Sequence, residues 1–185
     1  MKNKTLWTDT EGKPIQAHGG MILQHKGIYY WYGENKDTET VNRHVDFIGI
    51  SCYSSEDLEN WRNEGIVLSP VVNNPAHMLY TKNICERPRV LYNKSTKQFV
   101  MYTHADTADY YYAGVNVAVA ASPTGPFVWL KSFQPNRQDS RDMTLFQDLD
   151  GSAWLIHSAN YNKTMNIARL SDDYLDVTGS YISIF

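Results

Sequence analysis

The 185-residue chain has only two cysteines, Cys52 and Cys85, too few for a disulfide framework. Each sits in an apolar, strand-like setting, so two buried thiols are expected rather than a bridge. No run of about 18 apolar residues occurs, which leaves no candidate membrane span. Lys and Arg form no basic run and the net charge is −3, which argues against a nucleic-acid partner. Met1-Lys2-Asn3-Lys4 begins like the charged part of a secretion signal, but no apolar segment follows, so no signal peptide is expected here. Convincing helical periodicity is missing as well. His104 and His157 have no Cys or His partner at zinc spacing. Gly19-Gly20 lacks the spaced glycines of a phosphate loop, and there is no Gly-x-Ser-x-Gly elbow. Asp148-Leu149-Asp150-Gly151 starts like a calcium loop without its later glutamate and reads as a hairpin turn. Calcium at a propeller axis stays open although no ligand set here identifies it, and no other metal or cofactor is expected.

Aromatic residues are abundant: 13 Tyr, 5 Trp and 6 Phe. Such side chains fit the pleat of a strand, and they also suit a sugar-binding surface, because each ring joins an apolar face to a polar tip. Their placement is ordered. Met21–His25, the turn Lys26-Gly27 and Ile28–Tyr32 read as a hairpin. Val45–Ser54 and Gly65–Ser69 read as a third and a fourth strand, after a loop at 35–45 and an edge segment at 1–13. After a proline-containing linker the same plan restarts with Arg89–Asn93, Gln98–Thr103, Val115–Ala120 and Phe127–Leu130. It restarts again with Met143–Gln147, Ala153–His157, Asn166–Leu170 and Tyr181–Phe185.

Ser-led turns at Ser55, Ser122 and Ser171 occupy equivalent places in the three rounds. Repeats of about 40–50 residues with four strands each are the signature of propeller blades. A β-sandwich would also give many short strands, but not this repeated order. The expected fold is an all-β propeller portion of four-stranded antiparallel blades, in one partial domain over 1–185. The blades are placed at about 15–69, 86–131 and 140–185. Propellers close with about 4–8 blades. An arc of three leaves faces and strand edges open, so either a longer domain or self-association through those edges is expected.

Polar residues interrupt the apolar strand ends at matching points of the three rounds. They are Gln16 and His18, then Glu34, then Glu86-Arg87-Pro88-Arg89, then Asp139-Ser140-Arg141-Asp142. Innermost strands of a propeller aim their ends at one central pocket, which would gather His18, Glu86 and Asp142. Several carboxylates around one pocket suit glycoside hydrolysis, where an acid protonates the leaving oxygen and a base activates water. Crowding also drives their pKa values apart. Each residue has a plainer alternative. Glu86 and Arg87 would serve as an ion pair at a blade junction, and Asp142 as a turn cap. His18 would serve as a hydrogen-bonded loop histidine, Glu34 as a solvated strand end, and Tyr110-Tyr111-Tyr112 as packing. Recurrence at three equivalent points favours the functional reading for the set.

Ile15–Gly20, Tyr30–Asn35, Ser51–Ser55, Glu86-Arg87-Pro88 and Gln138–Thr144 resemble family-43 glycoside hydrolases, in the branch that contains exo-β-1,3-galactanases. The likeness covers nearly the whole chain, and the run from Gln138 to Thr144 is its most specific part. It implies a five-bladed propeller, an inverting mechanism acting on terminal β-galactosyl residues of galactan, and a secreted or periplasmic setting. Asp142 matches the aspartate that tunes the general acid in that family. Glu86, Glu34 and Tyr110 fall where the branch contacts the terminal galactose. Asp142 and Glu86 are thus the candidate catalytic residues; Gln16, His18, Glu34, Tyr110, Arg141 and Asn160 are the candidate substrate contacts.

The departures are also specific. His18 stands near the position of the usual base aspartate, a loss the galactanase branch shares, with a glutamine from a later blade as the implied substitute. Asn160 stands where many relatives carry an acid. The resemblance places the general acid, the substitute base and two blades beyond residue 185, so this chain alone is expected to be nearly inactive. A non-catalytic carbohydrate-binding propeller is the second reading. A protein–protein scaffold ranks last, because it gives no reason to gather carboxylates.

Overall fold

A computed structural model of the chain describes residues 6–41 and 44–185. Residues 1–5 of the expected edge segment, and 42 and 43 of the expected loop, lie outside the described residues. The first four-stranded antiparallel sheet has the order β1 (His18–His25), β2 (Ile28–Glu34), β5 (Ile50–Ser55), β6 (Arg62–Leu68). Between β2 and β5 lies a small ladder of β3 (Thr40–Val41) and β4 (His44–Val45). The second sheet is β7 (Ile84–Asn93), β8 (Gln98–Asp106), β9 (Gly114–Ala120) and β10 (Val128–Phe133). The third is β11 (Met143–Gln147), β12 (Ala153–Ala159), β13 (Thr164–Leu170) and β14 (Val177–Ile184). The only helical turn among the described residues is a short 3-10 turn at Pro135–Arg137. No helix among them is long and apolar enough to cross a membrane.

The sheets stack by their first strands, with β1 packed on β7 and β7 on β11. Alternation along the strands explains why. On β8, Phe99 and Met101 enter the core shared with the first sheet, alongside Tyr30, Tyr32, Cys52 and Val67. Val100 and Tyr102, one residue out of phase, enter the core shared with the third sheet, alongside Met143, Leu155 and Leu170. The middle sheet is thus buried on both faces, which is why β8 and β9 read as nearly continuous apolar runs. Cys52 and Cys85 are both buried free thiols. Burial pushes the Cys85 thiol up to about 12.

The outward face of the third sheet has no covering layer among the described residues. Ile156, Ile167 and Ile182 form one cross-strand row on it, and Met165 and Ile184 pair beside them. Ile182 is 60% exposed. On the outward face of the first sheet, Trp31 packs edge-on between Trp7 and Trp61, with ring centroids 5.3 and 5.2 Å away.

Several strand boundaries differ from expectation, and three of the differences have a clear physical reason. The strand expected from Val45 begins only at Ile50. Residues before it turn away to the linker, where the Phe47 N–H donates to the Thr81 carbonyl (2.8 Å), and Gly49 has φ +132. The strand expected from Arg89 begins at Ile84, because a bulge between Glu86 and Arg89 absorbs Pro88 and puts Arg87 at φ +53. The first strand starts at His18 through a second irregularity before Met21. This start rests on Gly33: a Cβ there would lie 2.1 Å from the Ala17 carbonyl carbon, so only glycine lets residues 15–17 lie down across β2.

Candidate active site

Of the strand ends named from the sequence, Glu34, Arg87 and Asp142 are in contact at the first-strand edge of the three sheets, whereas the expected single hollow for His18, Glu86 and Asp142 is divided in two, with His18 lining neither. His18 is the register partner of Glu34 across β1 and β2. Glu34 is 5% exposed. Its Oε1 accepts from the Arg87 N–H (3.4 Å), across the seam between the first two sheets, and its Oε2 pairs with Lys36 Nζ at 2.6 Å. The bulge in β7 makes the first contact available, since it turns the Arg87 backbone toward Glu34. The Arg87 guanidinium then reaches the third sheet, where Nη2 lies 2.8 Å from Asp142 Oδ1. Glu86 is not paired to Arg87; its Oε1 accepts from the Tyr110 hydroxyl at 3.1 Å. Burial and the neighbouring Glu86 push the Tyr110 hydroxyl up to about 12. The ion pair at this junction is therefore Arg87–Asp142, rather than the Glu86–Arg87 pair of the plainer alternative.

The remaining candidates fall at the edges of this group. The Arg141 guanidinium donates to the Tyr110 carbonyl (3.5 Å) and lies 3.8 Å from Asp139 and 3.9 Å from Asp106. Asn160 sits in the turn after β12 at φ +50, where its N–H donates to Asp139 Oδ1 at 2.6 Å. The Gln16 N–H donates to the Tyr53 hydroxyl (2.9 Å), on the outward face of the first sheet. Among the described residues no contact joins Gln16 to Glu86 or Asp142. Glu86 and Tyr110 line a hollow with Lys36 and His44, whereas Asp142 and Arg87 line a neighbouring one with Ser158 and Asn162. No group of three or more His, Cys, Asp or Glu among the described residues could hold a metal ion.

The family model for glycosyl hydrolases family 43 matches residues 20–185. The chain belongs to family 43. Among solved structures, this family-43 chain is similar to a GH43 β-1,3-galactosidase with bound galactodeoxynojirimycin, at 37% identity and TM-score 0.92, over 100% of this chain and 66% of that one. It is similar to an exo-β-1,3-galactanase from Phanerochaete chrysosporium with galactose, at 38% identity and TM-score 0.89, over 98% of this chain and 42% of that one. It is also similar to an exo-β-1,3-galactanase from Clostridium thermocellum, at 38% identity and TM-score 0.86, over 96% of this chain and 39% of that one. The chain therefore spans less than two thirds of these relatives' own length. No curated protein matches. Its three sheets are blades of a β-propeller, as the repeat pattern led us to expect.

Residues outside the candidate catalytic and substrate-contact sets tie this family-43 site together. Arg89 is the clearest: its guanidinium donates to the Gly19 carbonyl (2.9 Å), its neighbour's Pro88 carbonyl (2.8 Å) and Thr144 Oγ1 (3.2 Å), so one side chain touches all three blades. Asp106 is 0% exposed and its Oδ1 accepts from the Thr107 and Ala113 N–H groups, closing the loop that carries Tyr110. Burial alone would push the Asp106 carboxyl up. The His104 ring and the Ala113 and Thr107 N–H groups outweigh burial and leave it below the usual range. The available signal was spacing: His104 and Asp106 are two apart on one strand and so share a face.

Glu34 is strained electrostatically. Burial pushes its carboxyl above the ordinary range, against the pull of Lys36. A raised carboxyl means that the folded state holds its proton longer than the unfolded chain does. Stability therefore falls as pH rises through 4.5, the ordinary value, and stays lower above it. Glu34→Gln removes that cost. We expect its Tm at about pH 7 to exceed the parent's by on the order of 2 °C, with the two converging near pH 4, while galactose binding weakens. Paired melts at the two pH values check this, and a Glu34→Gln variant less stable than the parent at neutral pH would show that the Lys36 pair outweighs burial.

Proposed function

We propose that the whole protein is an inverting, exo-acting glycosidase that removes terminal β-galactosyl residues from β-1,3-galactan, and that residues 1–185 form part of its galactose pocket. The observation that carries this reading is the continuous contact from Glu34 through Arg87 to Asp142, with the Tyr110 hydroxyl held on Glu86 beside it. Five polar groups from three blades are thereby fixed around one end of the fold, an arrangement that suits a sugar's ring of hydroxyls. Similar solved structures hold galactose and β-1,3-galactotriose. In this reading Asp142 sets the protonation of a general acid supplied by another part of the whole protein. Glu86, Glu34 and Tyr110 hold the sugar, and Gln16, His18, Arg141 and Asn160 border it. For the 185-residue protein by itself, the apolar rows without a covering layer among the described residues favour self-association through the open blade faces.

A non-catalytic, carbohydrate-binding propeller is the second reading. Two observations favour it: β1 presents His18 rather than a carboxylate, and Asp142 is already tied to Arg87.

Titrating the 185-residue protein with galactose tests the pocket. Saturable binding is expected, and Glu86→Ala should weaken it about 10- to 100-fold, the range for losing a charged hydrogen-bond acceptor. Hydrolysis of an aryl β-galactoside by residues 1–185 should be weak, because a missing general acid forfeits about 10²–10⁴ in rate. Robust turnover would refute the placement of that acid outside this segment, and no galactose binding would remove the pocket.

A further inference from the structure

Between the second and third blades lies a buried pair that the sugar contacts do not use. His104 is 3% exposed and Asp106 is 0% exposed. His104 Nδ1 lies 3.0 Å from the Ser140 carbonyl, and Nε2 lies 3.4 Å from Asp106 Oδ2. The ring thus bridges a backbone carbonyl of the third blade and a buried carboxylate of the second. Asp106 Oδ2 makes no close hydrogen bond; the side-chain nitrogens nearest it are this ring's Nε2 and Arg141 Nη1 at 3.9 Å. Removing either partner would strand the other in a dry seam.

The pair's attachments run in two directions. Toward the second blade, Asp106 Oδ1 holds the N–H groups at both ends of the 107–113 loop, and the Tyr110 ring stacks parallel to His104 at 6.4 Å. Glu86 lies directly across from His104 in the β7–β8 ladder. Toward the third blade, the Ser140 carbonyl sits on His104, and the Ser140 N–H donates to the Ala113 carbonyl (2.8 Å). Two residues on comes Asp142, whose N–H donates to Ser158 Oγ at 3.1 Å.

We propose that His104 and Asp106 are positioning residues that fix the spacing between the Tyr110–Glu86 contact on one blade and Asp142 on the next. The proposal rests on the galactose-pocket reading. Neither residue touches sugar; the pair sets where the groups that do so stand. A purely local role, with Asp106 capping its own loop, would leave the third blade unaffected.

Amide hydrogen exchange and galactose titration of the 185-residue protein separate the two roles. Asp106→Ala should speed exchange at Thr107 and Ala113 and also, across the seam, at Arg141 and Asp142 by about ten-fold or more, and weaken galactose binding by a similar factor. Asp106→Asn should restore most of both, because its amide oxygen still accepts from Thr107 and Ala113 and its NH₂ still fills the place beside His104 Nε2. If Asp106→Ala does not fold, His104→Phe decides. It keeps a ring against Tyr110, and should speed exchange at Arg141 and Asp142 while leaving Thr107 and Ala113 near parental rates. Parental exchange at Arg141 and Asp142 in the folded variants, with unchanged galactose affinity, overturns the proposal. If the parent protein binds no galactose, the pocket reading fails, while the exchange pattern still reports whether the pair couples the two blades.

Discussion

Gly33→Ala is expected to lower stability by about 3 kcal/mol or more, toward the upper end of overpacking costs. The added methyl would meet the Ala17 backbone at 2.1–2.5 Å, and no flexible side chain is there to yield. Relief would require residues 15–17 to lift off β2. That movement would pull the Gln16 N–H from the Tyr53 hydroxyl and shift His18 away from Glu34, so the site would loosen with the fold. For a domain of this size, about 3 kcal/mol corresponds to a fall in Tm of about 6–12 °C. Thermal melts followed by circular dichroism measure it. A melt within a degree of the parent would mean that the 15–17 segment does not lie where it is described.

The second large effect is expected at Arg89. Replacing it with Met keeps the apolar stem and removes the guanidinium. The Gly19 carbonyl and Thr144 hydroxyl, both at exposed residues, then lose this donor and turn to solvent. Hydrogen bonds to a charged group are worth about 1.5–3 kcal/mol. Burial and the nearby Arg87 already disfavour the charge on Arg89, which offsets part of that gain. A net loss of about 2 kcal/mol is therefore expected, or about 4–8 °C in Tm. Arg89→Lys should recover little, because an ammonium cannot span the fork of acceptors on two other blades. Equal stability of the Lys and parent proteins would show that charge, and not geometry, is what matters at this position.

The strands were legible because alternation and turn chemistry are local. The Lys26-Gly27 hairpin and the Asp148–Gly151 turn fall where they were read. Boundaries failed where the chain's partner was distant. Nothing near Phe47 announces that its N–H will pair with Thr81. Nothing beside Pro88 announces that the strand continues through a bulge. The same divide runs through the site. Glu34, Glu86 and Asp142 stood out as charges breaking apolar runs. Arg89 was visible only as part of a motif, because its importance comes from carbonyls on other blades. His104 was set aside for lacking a metal partner, and its actual partner, Asp106, was two residues away on the same face.

The outward face of the third sheet, bare among the described residues, has a consequence for how such a stack acquires its cooperativity. A lamina packed on one side gains roughly half the burial of one packed on both, as the middle sheet illustrates. Each added layer would therefore strengthen the layer beneath as much as itself. Resistance to unfolding should accumulate nearly stepwise with layer count, in the manner of a one-dimensional stack.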